Sequence, residues 1–295
     1  MIVVNLKGGL GNQMFEYAFG YTLAEAKQTD LYLDLRYLTE RRSGKGYTVR
    51  DYNLDIFGIE PKSPTKKQLV KLGVGIGNFR VRSKIGKMLD RLGIGVISER
   101  KMSFDSRVFD RKAVDIYLDG YWQSEKYFDI RADEIARIFQ FDCAAFDDGV
   151  LRFAETIEFD DAVCLNVRRG DFVGSVNHDV LGIDYYSRAL DHVRRAMGDN
   201  FAVYVFSDDP EWCRDNLTVW PNLHVVGHEY AGDRFSAYMY LMSQFSNFVI
   251  PNSTFAWWAA WLSRAKKKLV IAPRKWTALA RFEPCDIVPT RWLKA

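Results

Sequence analysis

Two adjacent arginines, Arg168 and Arg169, follow an apolar run that is typical of a buried strand, and Gly170 and Asp171 come next. In open α/β sheets, ligands bind outside the carboxyl ends of the strands. A guanidinium is always charged and binds oxygen atoms in a bidentate fork, so two of them at a strand end suit a diphosphate. Glycine permits a tight turn or a close approach to the ligand. Considered alone, the segment could equally be a surface turn with a local Arg–Asp pair.

Three further segments also place small or polar residues where a strand pattern meets a helix pattern. They lie at the start of the chain, around residues 206–213, and at residues 252–262. Free N–H groups and hydroxyls at a helix N-terminus can bind phosphate oxygens. The candidate ligand-binding residues in these segments are Gly11, Asn12, Asp208, Asp209, Asn252, Ser253 and Thr254.

Asp208 and Asp209 have two interpretations. Carboxylates are the usual protein ligands of Mg²⁺ in transferases that depend on a metal. However, Pro210 follows Asp209, which is typical of a helix that begins with an aspartate cap and a proline in its first position. We favour capping, in which case Arg168 and Arg169 would neutralise a bound diphosphate without a metal. Plain helix capping is likewise the alternative for Asn252 and Ser253.

The four segments together resemble the bacterial α-1,2-fucosyltransferases of glycosyltransferase family eleven. Residues 8–15 match the family's G-G-L-G-N-Q-M-F, residues 166–171 its H-x-R-R-G-D, and residues 252–262 its N-S-S/T-F-x-W-W-A-A-W-L. The matches occur in the family's order and span nearly the whole chain, although residues 41–100 contribute little. The resemblance implies a GT-B architecture, with two Rossmann-like domains facing each other across a cleft. It also implies inverting, metal-independent transfer of fucose from GDP-fucose to the 2-hydroxyl of a galactoside in a surface glycan.

The resemblance also implies roles for individual residues. The family's asparagine in the glycine turn lies near the donor sugar, which implies this position for Asn12. A family histidine commonly follows the arginine motif, so His178 is the candidate base for the acceptor hydroxyl, and its ordinary pKa suits that task. Asp171 is the rival base, although orienting the arginines is its better role. We therefore predict that Arg168, Arg169, Asp171 and His178 are catalytic.

Two positions depart from the family pattern. Asn166 stands where the arginine motif has histidine, and Tyr238 stands where the family has aspartate before its late motif. In related fucosyltransferases these positions help to read the guanine base. Their replacement predicts weaker base discrimination, because a tyrosine could stack on any base. Asn166 or Asp233 could compensate.

Three alternatives remain open at this point. The first is a GT-B glycosyltransferase that uses another sugar nucleotide, and the second is a nucleotide- or glycan-binding protein without turnover. The third is a dinucleotide oxidoreductase, since a glycine turn with Asp34 ending the next strand imitates the dinucleotide fingerprint. Met14 occupies the third glycine position of that fingerprint, and an oxidoreductase would explain none of the later segments.

Strand and helix patterns alternate along the chain, which predicts parallel sheets. In the second half, strands are predicted at 162–167, 202–206, 223–226, 247–250 and 268–272, and helices at 184–197, 209–216, 234–246 and 253–264. We predict an N-terminal Rossmann-like domain on the acceptor side, residues 1–155. Residues 156–295 should form the domain that binds the nucleotide sugar.

Composition narrows the possible partners. A net charge of only +3 over 295 residues argues against a nucleic-acid-binding protein. The four cysteines are far apart, and no signal peptide or membrane-spanning run is visible, so we predict reduced thiols in a cytoplasmic protein. Residues 66–101 are rich in Lys and Arg, which predicts either a solvated face or peripheral contact with the inner membrane surface and a lipid-linked acceptor. No cofactor is expected beyond the donor substrate.

Overall fold

A computed structural model shows the chain as two compact α/β units. It describes residues 1–39, 50–74, 94–99, 101–173, 181–217, 220, 222–277 and 286–295. The first unit comprises Met1–Ile138 with Pro284–Ile287, and the second comprises Phe139–Glu283 with Val288–Ala295. Each unit contains one parallel sheet with helices between its strands. The predicted fold class, α/β with two Rossmann-like domains, is confirmed.

The first unit contains a four-stranded sheet in the order β2-β1-β4-β3. Its strands and helices are β1 (Ile2–Asn5), α1 (Leu10–Ala26), β2 (Leu31–Asp34), α2 (Arg36–Thr39), α3 (Lys66–Lys71), β3 (Ile94–Ser98), β4 (Asp115–Asp119) and α4 (Ala132–Ile138). All three strand pairings are parallel, so the carboxyl ends of neighbouring strands lie at the same edge. Helix α1 packs closely on β1, because a Cβ added to Gly20 would lie 2.3 Å from Val4 Cγ2.

The second unit contains a six-stranded parallel sheet in the order β10-β9-β8-β5-β6-β7. Its elements are α5 (Asp148–Glu155), β5 (Ala162–Val167), α6 (Ile183–Met197), β6 (Ala202–Ser207), α7 (Pro210–Asn216), β7 (Leu223–Val225), α8 (Ser236–Ser243), β8 (Asn247–Val249), α9 (Thr254–Leu262), β9 (Leu269–Ala272) and β10 (Leu293–Lys294). Strand β5 is buried along its whole length, because it is paired with β6 and β8 and covered by helices.

The division between the units falls earlier than the predicted domain boundary at 155/156. Helix α5 belongs to the second unit. Its Phe153 stacks on Tyr230, with ring centroids 4.2 Å apart, and also contacts the edge of Tyr204. These aromatic contacts explain why α5, which precedes the predicted boundary, is part of the second unit.

Most elements predicted for the second half are confirmed to within one or two residues. The exception is the helix predicted at 234–246, which begins at Ser236 and ends at Ser243, three residues earlier than predicted. Arg234 and Phe235 have left-handed backbone conformations, with φ of 51° and 63°, and therefore cannot continue a right-handed helix. Strand β3 and the two-residue strand β10 were not predicted.

Several predictions concern residues outside the described ranges. These are His178, Cys285 and most of the basic segment 66–101. Cys143, Cys164 and Cys213 are free thiols. Within the described part of the chain, no helix is long and apolar enough to cross a membrane.

Candidate active site

Arg168 and Arg169 lie where strands β5 and β6 end side by side. In the parallel register Val167 is opposite Ser207, so the residues that follow each strand meet at the same sheet edge. Arg168 Nη1 lies 2.9 Å from Asp208 Oδ2, and Arg169 Nε lies 3.1 Å from Asp209 Oδ2. The backbone N–H of Arg169 donates a further hydrogen bond of 2.9 Å to Asp208 Oδ1. The structure thus brings together four of the predicted residues, which we call the arginine site: Arg168, Arg169, Asp208 and Asp209.

Asp209 has the capping role that the sequence favours. Its carboxylate accepts a hydrogen bond of 3.2 Å from the Trp212 N–H, and Pro210 occupies the first helical position of α7. The same carboxylate pairs with Arg169, whose guanidinium carbon lies 3.9 Å from the centre of the Trp212 ring. Helix capping, ion pairing and a cation–π contact therefore fix one guanidinium at this edge.

Gly170 is required at its position by the close approach of Asp208. A Cβ at residue 170 would lie 2.5 Å from Asp208 Oδ2, the atom that pairs with Arg168. Any larger residue would displace this carboxylate and with it the arginine. The Gly170–Phe172 turn is described, but the side chain of Asp171 lies outside what the structure describes, so its predicted role in orienting the arginines or as a base stays a prediction.

The late motif lies at the neighbouring strand end. Strand β8 pairs with β5 on the side opposite β6, and residues 250–253 connect it to α9. Asn252 donates a buried hydrogen bond of 3.0 Å to the Trp276 carbonyl, which holds the loop from within. Ser253 occupies the N-cap position of α9 without making a side-chain capping bond, and Thr254 is the first helical residue. Ser253 therefore does not have the plain capping role that was its alternative.

Asn166 and Tyr238 lie inside the second unit rather than on an open surface. Asn166 Nδ2 donates a hydrogen bond of 2.9 Å to the Phe206 carbonyl, and the Tyr238 hydroxyl donates one of 2.8 Å to the Val226 carbonyl. Only 7% of Asn166 and 2% of Tyr238 is exposed. The expectation that Tyr238 stacks on a base therefore needs correction, because its ring is enclosed by its neighbours.

In the first unit, the predicted Asn12 loop is tightly ordered. Gly8 has φ of 70°, and a Cβ there would lie 2.4 Å from Asn12 Nδ2. Asn12 Oδ1 accepts a hydrogen bond of 2.9 Å from Gln123 Nε2. Gly11 is buried in the first turn of α1. The turn at Gly8 and the Asn12 side chain therefore restrict each other's conformation, which fixes the position of the Asn12 amide.

Sequence reasoning missed Gln13, which organises this loop. Its side chain is fully buried and donates hydrogen bonds to the Gly8 carbonyl at 2.9 Å and the Asp51 carbonyl at 2.8 Å. Its Oε1 accepts from the Asn53 N–H at 3.0 Å. The sequence does carry a signal for this role, because Gln13 is a polar residue in the first turn of a largely apolar helix.

A group of acidic side chains at the carboxyl edge of the first sheet was also missed. We call Glu16, Glu99 and Asp119, together with Lys7, the carboxyl cluster. Lys7 Nζ lies 2.9 Å from Asp119 Oδ1, which also accepts a hydrogen bond of 3.0 Å from Asn5 Nδ2. Glu99 Oε2 accepts from the N–H groups of Tyr121 and Trp122 at 2.8 and 3.3 Å.

Glu16 is the most deeply buried member of the carboxyl cluster. Its Oε2 accepts a hydrogen bond of 2.8 Å from the Lys7 N–H, whereas its Oε1 has no hydrogen-bond partner. Burial raises the pKa of Glu16 well above its ordinary value, and the charges of Glu99 and Asp119 add to this rise. Burial also raises the pKa of Glu99. Burial therefore disfavours the charged forms of Glu16 and Glu99 relative to exposed carboxylates.

The structure also bears on the dinucleotide and metal alternatives. Asp34 forms a two-pronged pair with Arg36, at 2.9 and 2.7 Å, and accepts a hydrogen bond of 2.8 Å from the Tyr117 hydroxyl. This carboxylate is 2% exposed and is engaged internally, unlike one that binds a ribose. Among the described residues, no group of three or more His, Cys, Asp or Glu side chains could hold a metal ion.

Comparisons of the chain with a family model and with known proteins all match glycosyltransferases. The model of glycosyl transferase family 11 matches residues 103–293. The chain is 31% identical to the O-antigen biosynthesis glycosyltransferase WbnK of Escherichia coli, over 92% of this chain and 94% of that one. It is 30% identical to an alpha-1,2-colitosyltransferase of Escherichia coli, over 100% of this chain and 98% of that one.

A solved structure shares the fold. A mutant of Arabidopsis thaliana FUT1 in complex with GDP superimposes with a TM-score of 0.52, at 14% identity, and covers 98% of this chain and 74% of that chain. At this identity the likeness concerns the fold alone.

Proposed function

The chain belongs to glycosyltransferase family 11, and from this premise we propose that it transfers fucose from GDP-fucose to the 2-hydroxyl of a galactoside in a surface glycan. The transfer inverts the configuration at the sugar carbon and needs no metal. The second unit holds the nucleotide sugar, and the first unit offers the acceptor surface. The acceptor is a galactose-terminated, lipid-linked glycan of the O-antigen type, and the enzyme works in the cytoplasm at the inner face of the membrane.

The arginine site is the observation that carries this proposal. Negative charge develops on the diphosphate as its bond to the sugar breaks, and fixed cations at that position lower the barrier. Arg168 and Arg169 are held by Asp208 and Asp209 at a strand-end edge, which is where parallel sheets bind ligands. Because the carboxylates fix the guanidiniums in advance, little reorganisation is required during the reaction.

The proposed reaction is a single displacement. The acceptor oxygen forms a bond to C1 of the sugar while the bond between C1 and the diphosphate oxygen breaks, and GDP leaves with the bonding electrons. The acceptor hydroxyl loses its proton to a base, for which His178 and Asp171 are the candidates. Asn252, Ser253 and Thr254 contribute polar groups at the neighbouring strand end.

Colitosyl transfer is the second candidate function. The relative described as an alpha-1,2-colitosyltransferase matches along the whole chain. The two candidates share a linkage and differ in the sugar, so the arginine site serves both equally well.

A turnover assay decides between these functions. The purified protein is incubated with a galactose-terminated acceptor and either GDP-fucose or GDP-colitose, and the product is analysed by mass spectrometry and NMR. The proposal predicts a fucosylated product with an α-1,2 linkage, formed equally well in EDTA. Turnover with the colitose donor alone would establish the second candidate. Binding of GDP without any transfer would instead indicate a nucleotide-binding protein without turnover.

A further inference from the structure

An exposed aromatic pair lies on the loop that follows strand β7. The Phe235 ring meets the His228 ring edge to face, with centroids 5.5 Å apart and planes at 88°. Phe235 is 38% exposed, although large apolar side chains are usually buried. We call these two residues the aromatic platform.

The platform rests on a row of edge-to-face aromatic contacts inside the second unit. Phe235 packs against Tyr238 at 5.7 Å between ring centroids, and Tyr238 packs against Phe206 at 5.2 Å. The carbonyl of Phe206 in turn accepts the hydrogen bond from Asn166. Tyr238 and Phe206 are buried, so Phe235, at the outer end of this row, is the ring that can contact a ligand.

The backbone holds Phe235 outward at an energetic cost. Arg234 and Phe235 are consecutive residues with positive φ, a conformation that is strained for residues other than glycine. The turn is fixed from behind, because the Ala231 carbonyl accepts hydrogen bonds from the N–H groups of Ala237 and Tyr238 at 3.0 and 3.2 Å. Gly232 also has positive φ, of 68°, and its missing side chain leaves room for Ala237. A strained turn that presents an apolar ring to the surface indicates a functional constraint.

The platform and the arginine site lie at the same edge of the sheet. His228 Nε2 lies 3.1 Å from the carbonyl oxygen of Ser207, the last residue of β6. The next residue in the chain is Asp208, which pairs with Arg168. A ligand that places a diphosphate on the arginines would therefore extend its remaining part past the end of β6 toward the platform.

We propose that the aromatic platform stacks on the nucleobase of the donor and makes recognition depend on ring size more than on hydrogen bonding. This inference rests on the proposed nucleotide-sugar donor. Every base has a flat face, so stacking tolerates different bases, and a purine offers more area than a pyrimidine. The Asn166 amide nitrogen and the Tyr238 hydroxyl donate to backbone carbonyls within the second unit, so these two donors are not available to select one base.

Calorimetry with the full chain tests the platform by comparing GDP with inorganic pyrophosphate. Removal of a ring that stacks on a base weakens binding by about 5- to 100-fold. We therefore expect Phe235→Ala to lower the affinity for GDP by that factor and to leave the affinity for pyrophosphate unchanged. Phe235→Tyr keeps the ring and should bind GDP within about twofold of the wild type. Leu293→Ala, which truncates another exposed apolar side chain of the second unit, is the matched control and should change the affinity for neither ligand.

The wild-type protein provides a second test that needs no variant. Stacking predicts similar affinities for GDP and ADP and a weaker affinity for UDP. A preference for GDP over ADP of more than about 100-fold would overturn the inference, because stacking alone cannot produce it. Equal binding of GDP by Phe235→Ala and the wild type would also overturn it. Failure of the wild type to bind either GDP or pyrophosphate would overturn the proposed function itself.

Discussion

The carboxyl edges of the two sheets are both polar, but their charges are arranged in opposite ways. In the second unit, two arginines are each paired with an aspartate, and the side chain of Arg168 keeps 29% of its surface exposed. In the first unit, three acidic residues share Lys7, whose side chain is 13% exposed. The first arrangement suits a polyanionic ligand at the surface. In the second, burial raises the pKa values of Glu16 and Glu99, and their carboxyl oxygens hold loops by accepting backbone hydrogen bonds.

Charge is therefore available for binding at the edge of the second sheet and serves structure at the edge of the first. Guanidiniums stay protonated whatever their surroundings, so a strand end that carries them keeps fixed hydrogen-bond donors for phosphate oxygens. Burial of a carboxyl group disfavours its charged form. Glu16 and Glu99 accept hydrogen bonds from the N–H groups of Lys7, Tyr121 and Trp122, and they stabilise the loops at the ends of β1 and β4.

The largest effect should come from removing either arginine. Arg168→Ala and Arg169→Ala should each lower kcat/KM by about 10²–10³-fold, because each loses a fixed cation next to the leaving group. Steady-state kinetics with GDP-fucose checks this. Arg194→Ala is the matched control, since Arg194 pairs with Asp191 and Asp199 on the surface of the same unit. Two variants within about threefold of the wild type would refute the assignment.

The free energy of unfolding should depend on pH through Glu16 of the carboxyl cluster, and Glu16→Gln should remove that dependence. The raised pKa of Glu16 means that the folded protein keeps a proton which the unfolded chain releases above its ordinary value of 4.5. The free energy of unfolding should therefore fall as pH rises from that value, by up to about 1.4 kcal/mol per pH unit for one group.

Urea unfolding at several pH values measures this effect. The Glu16→Gln variant should match the wild type near pH 4.5 and become the more stable protein at pH 8, because a neutral amide has no proton to lose. Glu25→Gln, on the exposed end of the same helix, should not change the slope. Identical pH dependence in Glu16→Gln and the wild type would show that Glu16 is ionised in the folded state.

A smaller effect is expected for Tyr238→Phe. The substitution leaves the buried Val226 carbonyl without its donor, so the free energy of unfolding should fall by about 1–3 kcal/mol. Donor affinity should remain unchanged, since the hydroxyl is bonded to the Val226 carbonyl inside the second unit. Chemical denaturation and GDP calorimetry on the same sample measure both quantities. A large loss of GDP affinity without loss of stability would show that Tyr238 contacts the bound nucleotide.

Chelation should have the smallest effect of all. With Arg168 and Arg169 in place of a metal, the rate in excess EDTA should equal the rate in buffer. Loss of turnover in EDTA, restored by Mg²⁺ or Mn²⁺, would reassign Asp208 and Asp209 from partners of the arginines to metal ligands.

Much of the second unit could be predicted because its signals are local. A buried parallel strand is a continuous apolar run, and the Asp209-Pro210 pair marks a helix start. The late start of α8 could not be predicted, since it depends on Arg234 and Phe235 adopting a conformation that their residue types disfavour. The inward orientation of Tyr238 was also missed, because it depends on the distant carbonyl of Val226.

The first unit was harder to predict for the same reason. Glu16 looks like an ordinary surface residue of a helix until Lys7 and the acidic groups of two loops are brought around it. Strand β3 is isolated in a segment without a clear pattern, and its pairing with β4 depends on residues far along the chain. Contacts between distant segments leave no periodic signal in the sequence.

Whether the arginine site binds the diphosphate can be measured by calorimetry. GDP, GMP and guanosine are each titrated into the wild type and into the Arg168→Ala/Arg169→Ala double variant. If the arginine site holds the diphosphate, affinity in the wild type should rise from guanosine through GMP to GDP. In the double variant the three affinities should converge toward that of guanosine, which itself should be unchanged. An equally steep rise in both proteins would show that the diphosphate binds elsewhere and would contradict the account.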